Sequence, residues 1–250
     1  MLNVAEKLNE KFLVREAELD DADFISIGVR EAERCHAGVG IYDTLIANTA
    51  VEVAATDRYL PDNVSKYLKH SILFDSKSHI RLSSFMVMID TEKNQRVGCA
   101  CSFHYPDFGL ATSIPGFKLA LQSVLGYTEE SANIAVDRWS FLDSAFPDVS
   151  YTDTCMIEAV YIAPSYRKMG LGEKLINACM KKAIQHSIDQ GEDLKGKRFL
   201  LVCAVGNAGA RRLYEKAGFL VTGEGHSEAC MAAIHCSGFW AMECRYDDCF

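Results

Sequence analysis

The sequence predicts a mixed α+β (α/β) fold, because segments typical of strands and of helices follow one another along most of the chain. Two strand–turn–helix segments carry this prediction, over residues 155–185 and 198–219. Each starts with an apolar run of strand length and continues into apolar residues at helical spacing. The third observation is the order of the first part of the chain, which indicates a strand, a helical region and a β-hairpin.

The composition is that of a globular protein in water. The chain has 250 residues, of which 49% are hydrophobic and 24% charged, and this length predicts one domain, with or without an insertion. No apolar run approaches the roughly 20 residues that a membrane-spanning helix needs. The charged N-terminus does not resemble a secretion signal. The net charge of −8 argues against a general nucleic-acid-binding protein.

The ten cysteines indicate reduced thiols in a cytoplasmic protein. None of them forms a C-x-x-C pair. Cys99 and Cys101 fall on one face of a predicted strand, and Cys179 and Cys203 fall in apolar runs. This pattern favours buried free thiols over a disulfide framework, and we expect no bound metal.

The first part of the chain is predicted to hold one strand and a long helical region. Residues 12–18 are typical of a strand, and the aspartates within residues 20–23 are typical of a helix start. Residues 31–79 are mostly helical in pattern, with interruptions near residues 38–40 and at Pro61.

A β-hairpin and a helical insertion are predicted in the middle of the chain. Residues 80–90 and 97–105 are typical of two strands, and the polar segment 91–96 joins them. The segment 106–151 carries its own apolar residues and separates the third strand from the fourth. We therefore interpret it as a helical insertion within a single domain of residues 1–250.

A glycine-rich turn joins the fourth predicted strand to the helix that follows it. Pro164 ends the strand, since proline has no main-chain donor. Gly170 and Gly172 allow the main chain to turn its N–H groups inward. A helix N-terminus beside Arg167 and Lys168 is suited to an anion, and we expect this anion to be a pyrophosphate.

Three known phosphate-binding motifs have a glycine-rich turn of this kind. A P-loop needs Lys and then Ser or Thr after its last glycine, where this chain has Glu173. The dinucleotide fingerprint needs a third glycine, where this chain has Leu175. The acyl-CoA loop, Arg/Gln-x-x-Gly-x-Gly/Ala, matches residues 167–172 at every specified position. An ordinary glycine-rich turn without a ligand stays open as the alternative.

The last part of the chain predicts three more strands and one helix. Residues 198–205 indicate a strand that is buried on both faces. Asn207 and Gly218 fit the start and the end of the next helix. Residues 220–222 and 238–245 are typical of two closing strands, with a loop predicted between them.

A second motif decides among these interpretations. The pattern Asn-x-x-Ala-x-x-Leu-Tyr-x-x-x-Gly-Phe is matched by Asn207, Ala210, Leu213, Tyr214, Gly218 and Phe219. With both motifs in the same order, the chain resembles the GCN5-related N-acetyltransferase (GNAT) family over roughly residues 12–245. The resemblance implies a mixed, mostly antiparallel sheet of six to seven strands flanked by helices. The insertion 106–151 departs from the minimal family pattern.

The resemblance also implies roles for particular residues. The strand at residues 160–162 is expected to separate from its neighbour and offer main-chain groups to the pantetheine arm of acetyl-CoA. Tyr214 is expected to donate a proton to the departing thiolate, with packing on a helix face as the alternative. The implied cofactor-binding residues are Val160, Tyr161, Ile162, Arg167, Lys168, Met169, Gly170, Leu171, Gly172, Glu173, Asn207 and Tyr214.

The candidate general bases are a glutamate and a histidine. An amine is protonated at neutral pH and must lose a proton before it attacks. Glu158 interrupts an apolar strand and is the first candidate, because burial is expected to raise its pKa; the alternative is a solvent-facing glutamate. His104 is the second candidate, whereas His226 and His235 fall in a predicted surface loop.

The sequence thus predicts an N-acetyltransferase that moves an acetyl group from acetyl-CoA to a primary amine by direct attack in a ternary complex. No cysteine lies within either motif, which disfavours a covalent acyl-enzyme. Two rivals are a non-catalytic acyl-CoA sensor and an acyltransferase with a longer acyl donor.

The partners are predicted only by class. We expect a small-molecule or peptide amine as acceptor, and no nucleic acid or membrane. The oligomeric state is left open, a homodimer included. The insertion 106–151 has two open roles, which are to form part of the substrate pocket or to cover the sheet.

Overall fold

A seven-stranded sheet organises the computed structural model, which describes residues 11–34, 39–46, 61–74, 78–104 and 110–248. The strands are β1 (Phe12–Glu16), β2 (Phe85–Asp90), β3 (Gln95–His104), β4 (Thr154–Ile162), β5 (Arg198–Ala204), β6 (Leu220–His226) and β7 (Gly238–Arg245). Their order is β1-β2-β3-β4-β5-β7-β6. Only β4 and β5 run parallel, and the other neighbours are antiparallel. The predicted mixed, mostly antiparallel sheet is confirmed.

Helices cover both faces of this sheet. They are α1 (Ala22–Ala32), α2 (Ile41–Ile46), α3 (Pro61–Phe74), α4 (Leu110–Leu125), α5 (Glu129–Asp137), α6 (Ser140–Asp143), α7 (Leu171–Asp189), α8 (Ala208–Lys216) and α9 (Glu228–Ile234). One face is buried by apolar side chains from α1 to α6 and from α9. The other face is buried mainly by α7, whose Leu175, Ile176 and Cys179 are inaccessible, with α8 beside it. The sheet therefore separates two hydrophobic cores.

Most predicted strands are present, with shifted ends. The strand predicted from residue 80 starts at Phe85, because Leu82–Ser84 form a 3₁₀ turn before it. Pro61 is where α3 begins, a position that suits proline because the first helical N–H has no intrahelical partner. Parts of three predictions fall outside the described residues. They are the interruption near residue 38, the end of the strand at residue 105 and the start of the insertion at residues 106–109. Residues 47–60 of the predicted helical region also lie outside the described residues.

The loop predicted after residue 222 is wrong. β6 continues to His226, and α9 follows it, with the Ser227 hydroxyl accepting a hydrogen bond from the Cys230 N–H at 3.2 Å. Gly225, within β6, is needed for packing. A Cβ at Gly225 would lie 2.6 Å from the carbonyl oxygen of Ala145, so glycine allows the segment before β4 to cross β6 closely.

A buried aspartate ties β1, β3 and the start of α1 together. Asp21 is fully buried and accepts hydrogen bonds from Arg15 at 2.6 Å, from Arg96 and from the Glu18 N–H at 2.8 Å. Burial alone would raise the pKa of Asp21, but these donors outweigh it and lower the pKa. The aspartate predicted as a helix start is therefore an ion-pair centre, and its side chain makes no capping bond to α1.

We expect Asp21→Asn to destabilise the protein at pH 7 by about 1.5–3 kcal/mol, the range for hydrogen bonds to charged groups. Because the folded-state pKa is lowered, this stabilisation exists above the unfolded pKa of about 4 and is lost as the pH falls below it. Urea unfolding at pH 7 and at acidic pH measures the effect. Asp20→Asn, at an exposed neighbouring position, is the control. An equal loss in both variants would contradict the ion-pair assignment.

Candidate active site

The sheet opens between β4 and β5. The two strands are paired only between Thr154–Met156 and Arg198–Leu200. Beyond Met156, β4 continues to Ile162 in register with β3, while β5 stays paired with β7 as far as Ala204. In the described chain, residues 157–162 of β4 are therefore paired with β3 on one edge and have no strand on the edge that faces β5. A gap forms between the carboxyl ends of β4 and β5.

A β-bulge bends β4 at the start of this gap. Cys99 is opposite Tyr161 and Cys101 is opposite Glu158, so β4 carries one extra residue between these pairs. Ala159 lies there with a φ of +52°, a conformation that is strained for a residue with a side chain. A bulge increases local bending and twist, which directs β4 away from β5.

A cavity of about 210 Å³ fills the gap. Four of the residues predicted for the site line it: Glu158 and Val160 on β4, Asn207 at the start of α8, and Tyr214 within α8. Glu158 lies on the face covered by α1 to α6, whereas Tyr214 packs with the core on the opposite face. The cavity thus reaches from one face of the sheet to the other.

Aromatic rings from α2, α3 and the segment 110–151 form one wall of the cavity. The ring centroids of Tyr42 and Tyr67 are 6.0 Å apart, those of Tyr67 and Phe117 are 5.3 Å apart, and those of Phe117 and Trp139 are 5.8 Å apart. α4, α5 and α6 follow β3 and precede β4 in the sequence, and their apolar side chains also belong to the hydrophobic core on this face of the sheet. The segment therefore lines the cavity as well as packing on the sheet, and its part in substrate binding stays a prediction.

Two glutamates face this cavity. Burial raises the pKa of Glu158 to about 7. Burial and then the charge of Glu158 raise the pKa of Glu33, at the end of α1, to about 8. The Nε2 atom of His79 lies 3.5 Å from the Glu158 carboxylate, and the imidazole contacts the ring of Phe103. Glu158 therefore lines the cavity with its side chain 29% exposed, and its role as the base stays a prediction.

Sequence reasoning missed Glu33 and His79. Glu33 stands in a charged stretch that resembles an exposed helix face, yet it ends a helix, where the helix dipole disfavours negative charge. That unfavourable placement was the one available signal. His79 precedes β2 and carries no motif. His104 lies on the other face of β3, with its ring 6.0 Å from that of His186 on α7, and it does not line the cavity.

Tyr214 is suited to hold a proton. Burial, and then the proximity of Cys203 and Glu33, raise the pKa of its phenol far above neutrality. Its ring packs edge-on against Phe219, with centroids 6.4 Å apart. Tyr214 therefore packs on the helix face and also lines the cavity, and its role as a proton donor stays a prediction.

The glycine-rich turn presents free main-chain donors. The first hydrogen bond of α7 runs from the Lys174 N–H to the Gly170 carbonyl at 3.3 Å. Among the described residues, the N–H groups of residues 168–173 have no hydrogen-bond acceptor. Lys168 and Gly170 have φ values of +64° and +78°, and a Cβ at Gly170 would meet no atom within 4 Å. The turn is therefore open toward an anion.

Neighbouring contacts hold this turn in place. The Arg167 Nε donates to the Ile162 carbonyl at 2.9 Å, which fastens the turn to the end of β4. A Cβ at Gly172 would lie 2.8 Å from Leu213, so α7 and α8 approach closely at this glycine. Asn207 caps α8, because its side-chain oxygen accepts from the Ala210 N–H at 3.1 Å.

The remaining predicted residues lie outside the cavity. Tyr161 directs its ring toward α1, 6.0 Å from Phe24, and Ile162 packs on the α7 side. The eight cysteines in the described ranges are all free and buried. Within those ranges, His, Cys, Asp and Glu form no group that could hold a metal ion. The same part of the chain contains no helix that could span a membrane.

The comparisons with known proteins agree with this geometry. The acetyltransferase (GNAT) family model matches residues 53–219, which is 167 of the 250 residues. The chain therefore belongs to the GNAT acetyltransferase family. No curated protein matches the sequence.

Two solved structures share the fold. An N-acetyltransferase from Staphylococcus aureus Mu50 is 16% identical, with a TM-score of 0.53, over 92% of this chain and 98% of that chain. A second acetyltransferase is 13% identical, with a TM-score of 0.52, over 94% of this chain and 99% of that chain. At these identities the likeness concerns the fold alone.

The two raised carboxyl pKa values predict that stability falls as the pH rises from about 5 to about 8. The folded state holds these protons more tightly than the unfolded state, so each group lowers stability by up to about 1.4 kcal/mol per pH unit across its window. Glu33→Gln should flatten this dependence in urea unfolding. Glu31→Gln, on the same helix, is the control. A Glu33→Gln profile as steep as that of the wild type would show that Glu33 is not buried as described.

Proposed function

We propose that this protein is an N-acetyltransferase that transfers an acetyl group from acetyl-CoA to a primary amine. The observation that carries the proposal is the cavity between β4 and β5, which has Glu158 on one side of the sheet and Tyr214 on the other. An acid–base pair on opposite sides of one opening supports direct attack in a ternary complex.

The chain's residues fit the cofactor that the family implies. The unpaired N–H groups of residues 168–173 suit the pyrophosphate, with Arg167 bracing the turn. The edge of β4 that faces β5, at Val160, Tyr161 and Ile162, suits the amide groups of the pantetheine arm, with the Ile162 carbonyl already bound by Arg167. The side-chain oxygen of Asn207 is used for capping, which leaves its amide nitrogen as the donor.

The proposed chemistry needs one base and one acid. Acetyl-CoA supplies the acetyl group as a thioester. Glu158 accepts a proton from the ammonium group, and the freed nitrogen lone pair bonds to the acetyl carbon as the carbon–sulfur bond breaks. Tyr214 donates its phenolic proton to the departing sulfur, since its pKa keeps it protonated. The acetylated nitrogen then gives its second proton to the Tyr214 phenolate, which leaves a neutral amide and restores the phenol. His79 lies within reach of Glu158 to receive the first proton.

The arrangement favours an enzyme over a sensor. A sensor would need the turn but neither Glu158 nor Tyr214, and the chain holds both at the same cavity. We further propose a cytoplasmic protein with a small-molecule or peptide acceptor, no nucleic-acid or membrane partner, and one domain over residues 1–250. The homodimer stays an expectation.

Gly170→Glu should weaken acetyl-CoA binding at least tenfold, because a carboxylate would enter the opening of the turn and repel the pyrophosphate. Titration calorimetry with acetyl-CoA measures the change. Gly196→Glu is a matched control, since Gly196 has the same φ of +78° and equally open surroundings. Unchanged affinity in Gly170→Glu, or an equal loss in the control, would refute the assignment of the turn.

Tyr214→Phe and Glu158→Gln should each lower kcat by about 100-fold, within the usual range for acid–base catalysis, with a smaller effect on the KM for acetyl-CoA. Glu158→Gln should also remove the rise of activity near pH 7, where this carboxyl group titrates. Thiol release measures both. Glu215→Gln, next to Tyr214 on the outer surface of α8, is the control. Retention of the pH profile in Glu158→Gln would exclude Glu158 as the base.

A further inference from the structure

The acceptor end of the cavity combines two carboxyl groups with aromatic walls. Glu33 and Glu158 both line it, and the charge of Glu158 acts on Glu33. The guanidinium of Arg34 also lines it, but that group is engaged by Glu31 at 3.1 Å and by Asp43 at 3.6 Å. Two carboxyl groups thus face one opening, and an ammonium ion is the partner that would relieve their repulsion.

The carboxyl groups of Glu33 and Glu158 are better suited to an acceptor with one ammonium group than to an acceptor with two. Both line the same cavity, and among the described residues that line it they are the two that carry carboxyl groups. Behind them, the rings of Tyr42, Tyr67 and Phe117 line the wall. A second ammonium group pushed among these rings would lose its hydration without a further carboxylate to meet it. This argues against linear polyamines.

The size of the cavity restricts the acceptor further. Its volume of about 210 Å³ lies below the roughly 300–1,000 Å³ typical of ligand sites, and the thioester end of the donor must share it. The aromatic wall offers ring faces to a flat group and to a cation, which gives stacking and cation–π attraction. This volume suits a compact amine better than an aminoglycoside or a protein segment.

We infer that the acceptor is a compact arylalkylamine with a single ammonium group, held between Glu33 and Glu158 with its aromatic ring against Tyr67, Phe117 and Trp139. This inference rests on the proposed acetyltransferase function and names its substrate class. Glu33 serves as a substrate-binding residue, and the segment between β3 and β4 supplies much of the ring-binding surface.

A panel of amines tests the inference through thiol release from acetyl-CoA. 2-Phenylethylamine should have a kcat/KM at least tenfold above those of n-butylamine, spermidine and a glycyl dipeptide. 2-Cyclohexylethylamine, which matches its charge and size but has no aromatic ring, should fall between. If spermidine or the dipeptide is the better acceptor, the inference is overturned while the acetyltransferase function stands. If acetyl-CoA binds but no amine releases thiol, both fail.

Variants of cavity residues test whether the cavity determines which amine is preferred. Phe117→Leu should reduce the preference for 2-phenylethylamine over n-butylamine at least fivefold, because it removes an aromatic ring and keeps an apolar side chain. Phe74→Leu, at a position 72% exposed on α3, is the matched control. Glu33→Gln should raise the KM for both amines and leave acetyl-CoA affinity unchanged. An unaltered preference in Phe117→Leu would place the ring elsewhere and overturn the inference.

Discussion

The separation of β4 from β5 is the constraint on which the rest of the site depends. A continuous parallel pair would satisfy the main-chain groups of β4 and close the sheet. Instead, pairing stops at Met156, and the bulge at Ala159 bends β4 outward. The same departure leaves an unpaired strand edge and creates an opening that links the two faces. Strain at one residue is thus balanced by packing on both sides.

The two faces divide the work around this opening. α7 and α8 provide a turn of free N–H groups and a protonated phenol on one face. The helices on the other face provide carboxyl groups and aromatic rings. Burial raises the pKa of both kinds of group, and the outcome differs because their ordinary pKa values differ. It keeps Tyr214 protonated, and it brings Glu158 close to the pH at which a carboxyl group can exchange protons.

The parts of the site that could be predicted from the sequence are those set by local chemistry. Gly170 and Asn207 stand at places where a turn and a helix start need their particular properties, and motif spacing located both. Glu33 and the aromatic wall depend on how distant helices meet over the sheet, which no local pattern encodes. The continuation of β6 to His226 could not be predicted from local pattern, because Gly225 is placed there by its close crossing with a distant segment.

The contact between Gly172 and Leu213 has a consequence for donor choice. α7 and α8 touch at this point, between the turn at residues 168–173 and Tyr214. In the function that we propose, this contact sets the distance between the diphosphate and the sulfur atom of the donor. A thioester on a shorter carrier would then reach one of the two places and not both.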